Sequence, residues 1–361
     1  MERDELKILL ISPLPPPAGG IASWSMRFLE WAQMNHINAD IVNTAVIGKR
    51  AENINAERKL FDEIIRTKRI LKELKQKIAT YKPDIIHLNS PCGKFGIIRD
   101  YLCATVVSEK GISLVVHYRC NIGDQINGSI LGMHFFKKLT NLADLILVLN
   151  TPSKELVKKA TGKESRQIAN FVDKGYIIKQ PKHISTNIKN VLFVGHVQNT
   201  KGSKEIIEVA HLLSKINFIL AGPISTEISS LRIPANVNLL GSVNHEKVQE
   251  LLDEADIFLF PSYTEGFANA LVEAMARGMP VITTPVGANA DMIEEFGGIL
   301  VSSGNVADIV NAINKMSPSK VRENMSLWNV RKVERNYSID NVIHNLLKTY
   351  KEVVGNRIEL S

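Results

Sequence analysis

Short apolar runs recur along this chain, and stretches of charged, helical spacing separate them. In the first half they are Lys7-ILLI-Ser12, Asp84-IIHL, Leu114-VVHY and Asp144-LILVL-Asn150. In the second half they are Asn190-VLFVG, Asn217-FILAG, Val237-NLLG, Asp256-IFLFP, Pro280-VITTP and Gly298-ILV. A strand that is apolar on both sides cannot leave one face in water. The pattern therefore predicts parallel sheets covered by helices on both faces, an α/β architecture. Residues 174–189, KGYIIKQPKHISTNIK, interrupt the rhythm and are read as a linker. This divides the 361 residues into a first domain, 1–173, and a second, 190–337, each of ordinary size. The tail from Ser338 reads as a helix ending at Gly355 and is expected to return to the first domain.

Composition narrows the function classes. The apolar runs are too short to span a bilayer. The acidic start and proline cluster of MERDELKILLISPLPPP argue against a secretory signal. Three cysteines (Cys92, Cys103 and Cys120) make no C-x-x-C pair, which disfavours a disulfide framework or a structural zinc site. A reduced, cytoplasmic protein is the expectation. The net charge of +7 falls entirely within residues 1–173, which implies an anionic partner for that half. By charge alone that partner is a nucleic acid, an acidic membrane or a phosphorylated substrate. Residues 57–77, ERKLFDEIIRTKRILKELKQK, concentrate the cations: Arg58, Lys59, Arg66, Lys68, Arg69, Lys72, Lys75 and Lys77. Leu60, Ile64, Leu71, Leu74 and Ile78 recur there at helical spacing, so the stretch reads as an amphipathic helix with its apolar face on the sheet and its cations outward.

Open parallel sheets bind ligands at the carboxyl ends of their strands, and two such domains are expected to leave a cleft between them. Four loops at such ends carry chemistry: Gly19-Gly20, His117-Tyr118-Arg119, Gly195-HVQNTK-Gly202 and Pro261-SYTEGFANALV-Glu273. In the last, Asn269 reads as a helix N-cap, and Gly278 with Pro280 as the stop. Glu265 then lies in the loop before a short helix and Glu273 within it, eight residues on and on nearly the same side. A helix N-terminus favours phosphate, and flanking carboxylates accept from hydroxyls. Both properties suit a sugar nucleotide. By spacing alone, two solvated glutamates at an ordinary strand-to-helix turn fit equally well.

Residues 256–293, with PSYTEGFANALVEAMARGMPVITTPVG, resemble the signature region of the family 4 glycosyltransferases. The resemblance extends to Pro15-PPAGGIAS, Val191-LFVGHVQNTKG, Asn170-FVD, Asp84-IIHL and Val115-VHY. It implies the GT-B fold: two Rossmann-like, doubly wound parallel-sheet domains facing across a cleft, with the C-terminal helix returning to the first. It also implies a retaining transferase that uses a nucleotide-diphosphate sugar. By the resemblance Glu273 binds the ribose hydroxyls, and Glu265 contacts the donor sugar and takes part in catalysis. The amides of Phe267 and Ala268 face sugar or phosphate, Lys201 neutralises the diphosphate, the Gly20 amide reaches the phosphate, and His117 stands beside the reacting centre. The implied acceptor is a glycan or lipid-linked glycan of bacterial cell-envelope polysaccharide synthesis. That reading places the enzyme at the inner face of the plasma membrane, with no nucleic-acid partner and no cofactor.

The chain departs from the family pattern at three places. His196 stands where an arginine usually follows the strand glycine, Phe171 replaces a glycine, and Tyr118-Arg119 follow His117 in place of glycine, which makes Arg119 a substitute cation. No Asp-x-Asp occurs, so metal-free catalysis by Lys201, His196 and a helix N-terminus is expected. His87 reads as a structural histidine, and Trp24 and Trp31 as core. The competing functions are a sugar-nucleotide epimerase or sugar phosphorylase on the same fold, and a catalytically silent sugar-nucleotide-binding scaffold. A dehydrogenase is disfavoured because no G-x-G-x-x-G follows a strand.

Overall fold

The computed structural model describes residues 6–17, 19–46, 60–126 and 128–359. It divides into two compact units, Met1–Ile168 with Ile343–Ser361, and Ala169–Val342. Segment 174–189 thus lies within the second unit, and a single-turn helix forms at Lys174–Tyr176.

The first unit contains strands β1 (Ile8–Ser12), β2 (Ala39–Asn43), β3 (Ile85–Ser90), β4 (Ser113–Tyr118), β5 (Leu145–Val148) and β6 (Arg166–Gln167). Its helices are α1 (Gly20–Met34), α2 (Leu60–Tyr81), α3 (Lys94–Glu109), α4 (Ile122–Ile126), α5 (Ile130–Leu142) and α6 (Thr151–Thr161). All pairings are parallel, in the order β2-β1-β3-β4-β5-β6. β1, β3 and β4 are buried along their whole length, which explains their mostly apolar reading.

The second unit contains β7 (Asn190–Val194), β8 (Asn217–Ala221), β9 (Val237–Gly241), β10 (Ile257–Phe260), β11 (Val281–Thr283) and β12 (Gly298–Leu300). Its helices are α7 (Ser203–Leu212), α8 (Thr226–Ser229), α9 (His245–Glu254), α10 (Asn269–Ala276), α11 (Asn289–Ile293), α12 (Val306–Lys315) and α13 (Ser319–Asn336). The sheet order is β12-β11-β10-β7-β8-β9, again all parallel. Strand order reverses between β1 and β3 in the first sheet and between β7 and β10 in the second. Crevices open at the carboxyl ends of such switch points.

The last helix, α14, runs Ile339–Glu359, four residues beyond the expected stop at Gly355. Arg357 donates to Ile112 O at 2.9 Å and pairs with Asp144 at 2.6 Å, which anchors the final turn on the first sheet. That contact outweighs the weak helix propensity of one glycine, about 1 kcal/mol.

The apolar stripe of α2 is only partly buried. Ile70 and Leu74 are in the core and Leu71 and Ile78 pack against it, but Leu60 and Ile64 are exposed, together with Phe61 and Ile65. The expected outward cations need correction too. Arg66 is buried, donates to Thr44 O at 3.0 Å and pairs with Glu63 at 3.0 Å, and Lys77 pairs with Asp40 at 2.6 Å. Lys68, Arg69, Lys72 and Lys75 are exposed. Arg58 and Lys59 lie outside the described residues.

Candidate functional site

In the second unit the switch point lies between β7 and β10; the two loops leaving these strands carry five of the expected residues, and α10 carries a sixth, Glu273. After β7 the chain passes Gly195 and an exposed His196, then makes a single helical turn at Asn199–Lys201 before entering α7. After β10 it runs from Pro261 to Ala268 and enters α10.

Backbone contacts clamp these loops to one another. Tyr263 N donates to Thr200 O at 3.0 Å, and Ser262 Oγ lies 3.4 Å from the same oxygen. Gly202 has φ +75, and a Cβ there would sit 2.3 Å from Pro261 O, so only glycine lets the loops meet this closely. From the other side Gly287, with φ +57, presses on the same loop: a Cβ there would lie 2.1 Å from Glu265 O. Ala288 N donates to Gly266 O at 3.2 Å. The peptide of Glu265 is therefore fixed on both sides. Gly287 stands inside the signature stretch, but its part in holding Glu265 depends on a contact that spacing does not reveal.

The clamp brings Lys201 and Glu265 together, with Nζ 2.5 Å from Oε1; their side chains are 22% and 11% exposed. Lys201 Nζ also lies 3.5 Å from Thr264 O. Glu265 thus holds the ammonium at the mouth of the switch point. Tyr263, whose hydroxyl donates to Glu205 at 2.6 Å, braces the loop against α7.

The N-cap of α10 is Ala268, not Asn269. Asn269 is drawn elsewhere: its Oδ1 accepts from Asn170 Nδ2 at 2.8 Å. The Asn170-FVD segment therefore steadies the first turn of α10, while Phe171 is buried. The helix has no side-chain cap; Leu271 N already donates to Ala268 O at 3.1 Å, which leaves the amides before it as the part of the N-terminus suited to an outside acceptor. Phe267 and Ala268, which lead into that turn, are buried. Asn269, Ala270 and Glu273 are half-buried on one side of α10, and Leu271, Val272, Ala274, Met275 and Ala276 are buried on the other. Gly278, with φ +69, ends the helix by bonding back to Met275 O, as expected from the sequence.

The first unit holds the other two expected residues. Gly20 is exposed and opens α1; Ala18, within the glycine loop, lies outside the described residues. A Cβ on the neighbouring Gly19 would meet nothing within 4 Å, so packing within the chain does not require glycine there.

His117, near the end of β4, is fully buried among rings and a cation. Its ring centroid lies 5.3 Å from that of His87 and 6.2 Å from that of Trp24. The Arg119 guanidinium stacks 4.5 Å above Trp24 and lies 3.3 Å from His117 Nδ1. Burial, then Arg119 and His87, push the His117 pKa well below its ordinary value, so the imidazole is neutral at physiological pH. It offers a hydrogen bond and no charge. Burial also lowers Arg119 to about 9, which leaves it cationic at neutral pH.

Beside them a buried chain of hydrogen bonds crosses the first sheet. Tyr350 OH, on α14, meets His87 Nδ1, and His87 Nε2 meets Asn89 Oδ1 at 3.2 Å. Asn89 Nδ2 donates to Ser12 Oγ at 3.0 Å, Ser12 meets Ser25 at 2.6 Å, and Ser25 Oγ donates to Ile21 O at 2.9 Å. His87 is thereby a satisfied structural histidine. Trp24 and Trp31 are core, although Trp24 also carries the Arg119 stack. Among the described residues no group of three or more His, Cys, Asp or Glu side chains is placed to hold a metal ion, and no helix is long and apolar enough to cross a membrane.

Comparison with known proteins agrees with this geometry. Residues 176–327 match the family model for Glycosyl transferases group 1. The phosphatidylinositol N-acetylglucosaminyltransferase GPI3 subunit of Saccharomyces cerevisiae is 28% identical over 197 residues, which are 49% of this chain and 43% of the relative. The chain thus spans under half the length of that curated relative. Among solved structures, sucrose-phosphate synthase from Thermosynechococcus elongatus has a TM-score of 0.80 at 16% identity, covering 98% of this chain and 100% of its own. HepE from Anabaena, in complex with UDP and glucose, has a TM-score of 0.69 at 16% identity, covering 96% and 100%. The fold is the two-domain α/β fold of the GT-B glycosyltransferases. The family match and the relatives support membership of the glycosyltransferase superfamily.

Proposed function

We propose that this protein transfers a sugar from a nucleotide-diphosphate donor to a glycan or lipid-linked acceptor, with retention and without a metal ion, in the synthesis of a cell-envelope polysaccharide. The observation that carries the reading is the Lys201–Glu265 pair, fixed at the β7/β10 switch point beside α10 and Glu273. Transfer must stabilise an oxocarbenium-like sugar and a departing diphosphate. Lys201 and the N-terminus of α10 serve the diphosphate, with His196 near the strand end as a second donor. Glu265 faces the sugar and Glu273 the ribose. In the first unit the exposed Gly20 offers an amide suited to phosphate, and His117, a fully buried neutral imidazole, backs that end of β4 beside Arg119. The UDP and glucose named for the HepE structure and the phosphatidylinositol in the GPI3 name support a nucleotide sugar and a membrane-borne acceptor.

The first test is a thermal-stabilisation screen of UDP-, GDP- and other nucleotide sugars, followed by donor consumption with and without EDTA. A ligand at a hundred times its Kd stabilises by about 2.7 kcal/mol, well within reach of a melting curve. Stabilisation by one nucleotide class, with turnover that survives EDTA, is expected. If no nucleotide sugar stabilises the protein, the reading fails; if turnover stops with EDTA and returns with magnesium, the metal-free part fails.

The acceptor side is supported by the surface of the first unit. Leu60, Phe61, Ile64 and Ile65 are exposed at the start of α2, as are Ile130 and Leu131 at the start of α5, and α3 packs against both helices. Helices that cover a parallel sheet all begin at the carboxyl edge of its strands. These side chains therefore share one rim, with Lys68, Arg69, Lys72 and Lys75 exposed further along α2. Apolar insertion beside cations suits a peripheral place on an anionic membrane. Liposomes containing phosphatidylglycerol should bind the protein at low salt and release it as salt rises. Absence of binding at low salt would remove the membrane from the reading.

A further inference from the structure

We propose that Cys92 and Cys120 form a reversible dithiol–disulfide pair that controls the loop carrying Arg119. β3 and β4 are in parallel register, with Ser90 opposite Tyr118. Each cysteine lies two residues beyond its register partner, and Arg119 N donates to Ser90 O at 2.8 Å, so the two chains remain neighbours past the strand ends. Adjacent strands run about 4.8 Å apart. That spacing lies within the Cα separation of about 4.4–6.8 Å that a disulfide bridges. Cys92 takes a left-handed backbone, φ +57, and its side chain is buried in the core cluster, against which Cys120 packs. The Cys120 thiol is close enough to Cys92 to act on its titration. Cys120 is partly exposed and Cys92 is buried, which assigns the order of events. Burial, with Cys120 alongside, also raises the Cys92 pKa well above its ordinary value, which makes it the poorer first nucleophile.

With a small disulfide such as glutathione disulfide as oxidant, the Cys120 thiolate attacks one of its sulfurs, the small S–S bond breaks, and one glutathione leaves. The Cys92 sulfur then attacks Cys120 in the mixed disulfide. The second glutathione leaves with the proton that Cys92 gives up. Two protein thiols are oxidised and one small disulfide is reduced to two thiols. The new bond ties Cys120, the residue after Arg119, to the end of β3. Drawing the two free sulfurs together to about 2.05 Å moves that loop, and with it the cation stacked on Trp24 and beside His117.

The test oxidises the full-length protein with glutathione disulfide and reads its mass. The expected product is a monomer two hydrogens lighter, with a peptide joining Cys92 to Cys120, restored by dithiothreitol. Cys92→Ser should stop at a glutathione adduct on Cys120, and Cys120→Ser should give no product. A stable glutathione adduct on the wild-type protein, a bridge to Cys103 or a bridge between two copies would overturn the pairing. A second readout rests on the proposed transferase activity: donor turnover should fall on oxidation, return on reduction, and not respond in Cys120→Ser. If the bridge forms and turnover is unchanged, control of the loop is refuted while the pairing stands. The mass readout needs no activity, so failure of the pairing and failure of the functional reading are separable.

Discussion

Acidification should destabilise the first unit through the buried pair His87 and His117. Burial, and then Arg119, lower His87 from an ordinary 6.5 to about 3, while Asn89 acts weakly in the opposite sense. The fold therefore holds the neutral imidazole, and below pH 6.5 the unfolded chain binds a proton that the folded chain does not. Stability from this group is fully present above pH 6.5 and is lost as the pH falls towards 3. At about 1.4 kcal/mol per pH unit, His87 alone removes about 2 kcal/mol by pH 5 and about 5 kcal/mol by pH 3. His117 is shifted in the same direction and adds to the loss. Urea titrations at pH 7.5, 6 and 5 would measure this by tryptophan fluorescence. Trp24 and Trp31 belong to the first unit and Trp328 to the second, so a Trp328→Phe background reports the first unit alone. His87→Gln in that background should cost about 1–3 kcal/mol at pH 7.5, from its bonds to Tyr350 and Asn89. It should also remove about 2 kcal/mol of the loss between pH 7.5 and 5. An unchanged pH slope in His87→Gln would refute the assignment of a buried neutral histidine.

Other substitutions test the candidate donor site. Glu273→Ala should raise KM for the donor, because ribose contacts persist from ground state to transition state, whereas Glu265→Ala should mainly lower kcat; each should cost about 1.5–3 kcal/mol. Near-wild-type kinetics in both would end the assignment. Gly202→Ala should cost about 1–3 kcal/mol from its left-handed backbone alone, and more from the clash with Pro261 O, displacing Lys201 and Glu265 together. Unaltered melting temperature and donor affinity would show that the clamp is not needed. His196→Arg should retain or raise donor affinity, since a guanidinium can fork to two phosphate oxygens, and His196→Ala should lower it. An inactive His196→Arg beside a wild-type-like His196→Ala would make His196 structural, and Arg119 the next cation to replace.

The sheets were legible because parallel strands covered on both faces leave almost no position for a polar residue. Ile8 to Ile11 and Ile257 to Phe260 each read as one apolar block, Ile85 to Leu88 is interrupted only by His87, and the loops that carry chemistry follow strand ends of this kind. The details that went astray are those decided by a distant contact. Asn269 has the chemistry of an N-cap, but Asn170, 99 residues earlier, claims its side chain. Leu60 and Ile64 share the apolar period of Ile70 and Leu74, and period identifies a face without saying how far the sheet beneath extends. Gly355 looks like a stop, yet Arg357 fastens the next turn to Asp144, 213 residues back. The neutral state of His117 belongs in part to the same class, since burial beside Trp24 and His87 sets it, with Arg119, two residues on, acting in the same sense. A histidine at a strand end invites a charged role, and here the surroundings remove the charge. The ring of His117 is therefore an uncharged hydrogen-bonding group, and the positive charge at this strand end resides on Arg119.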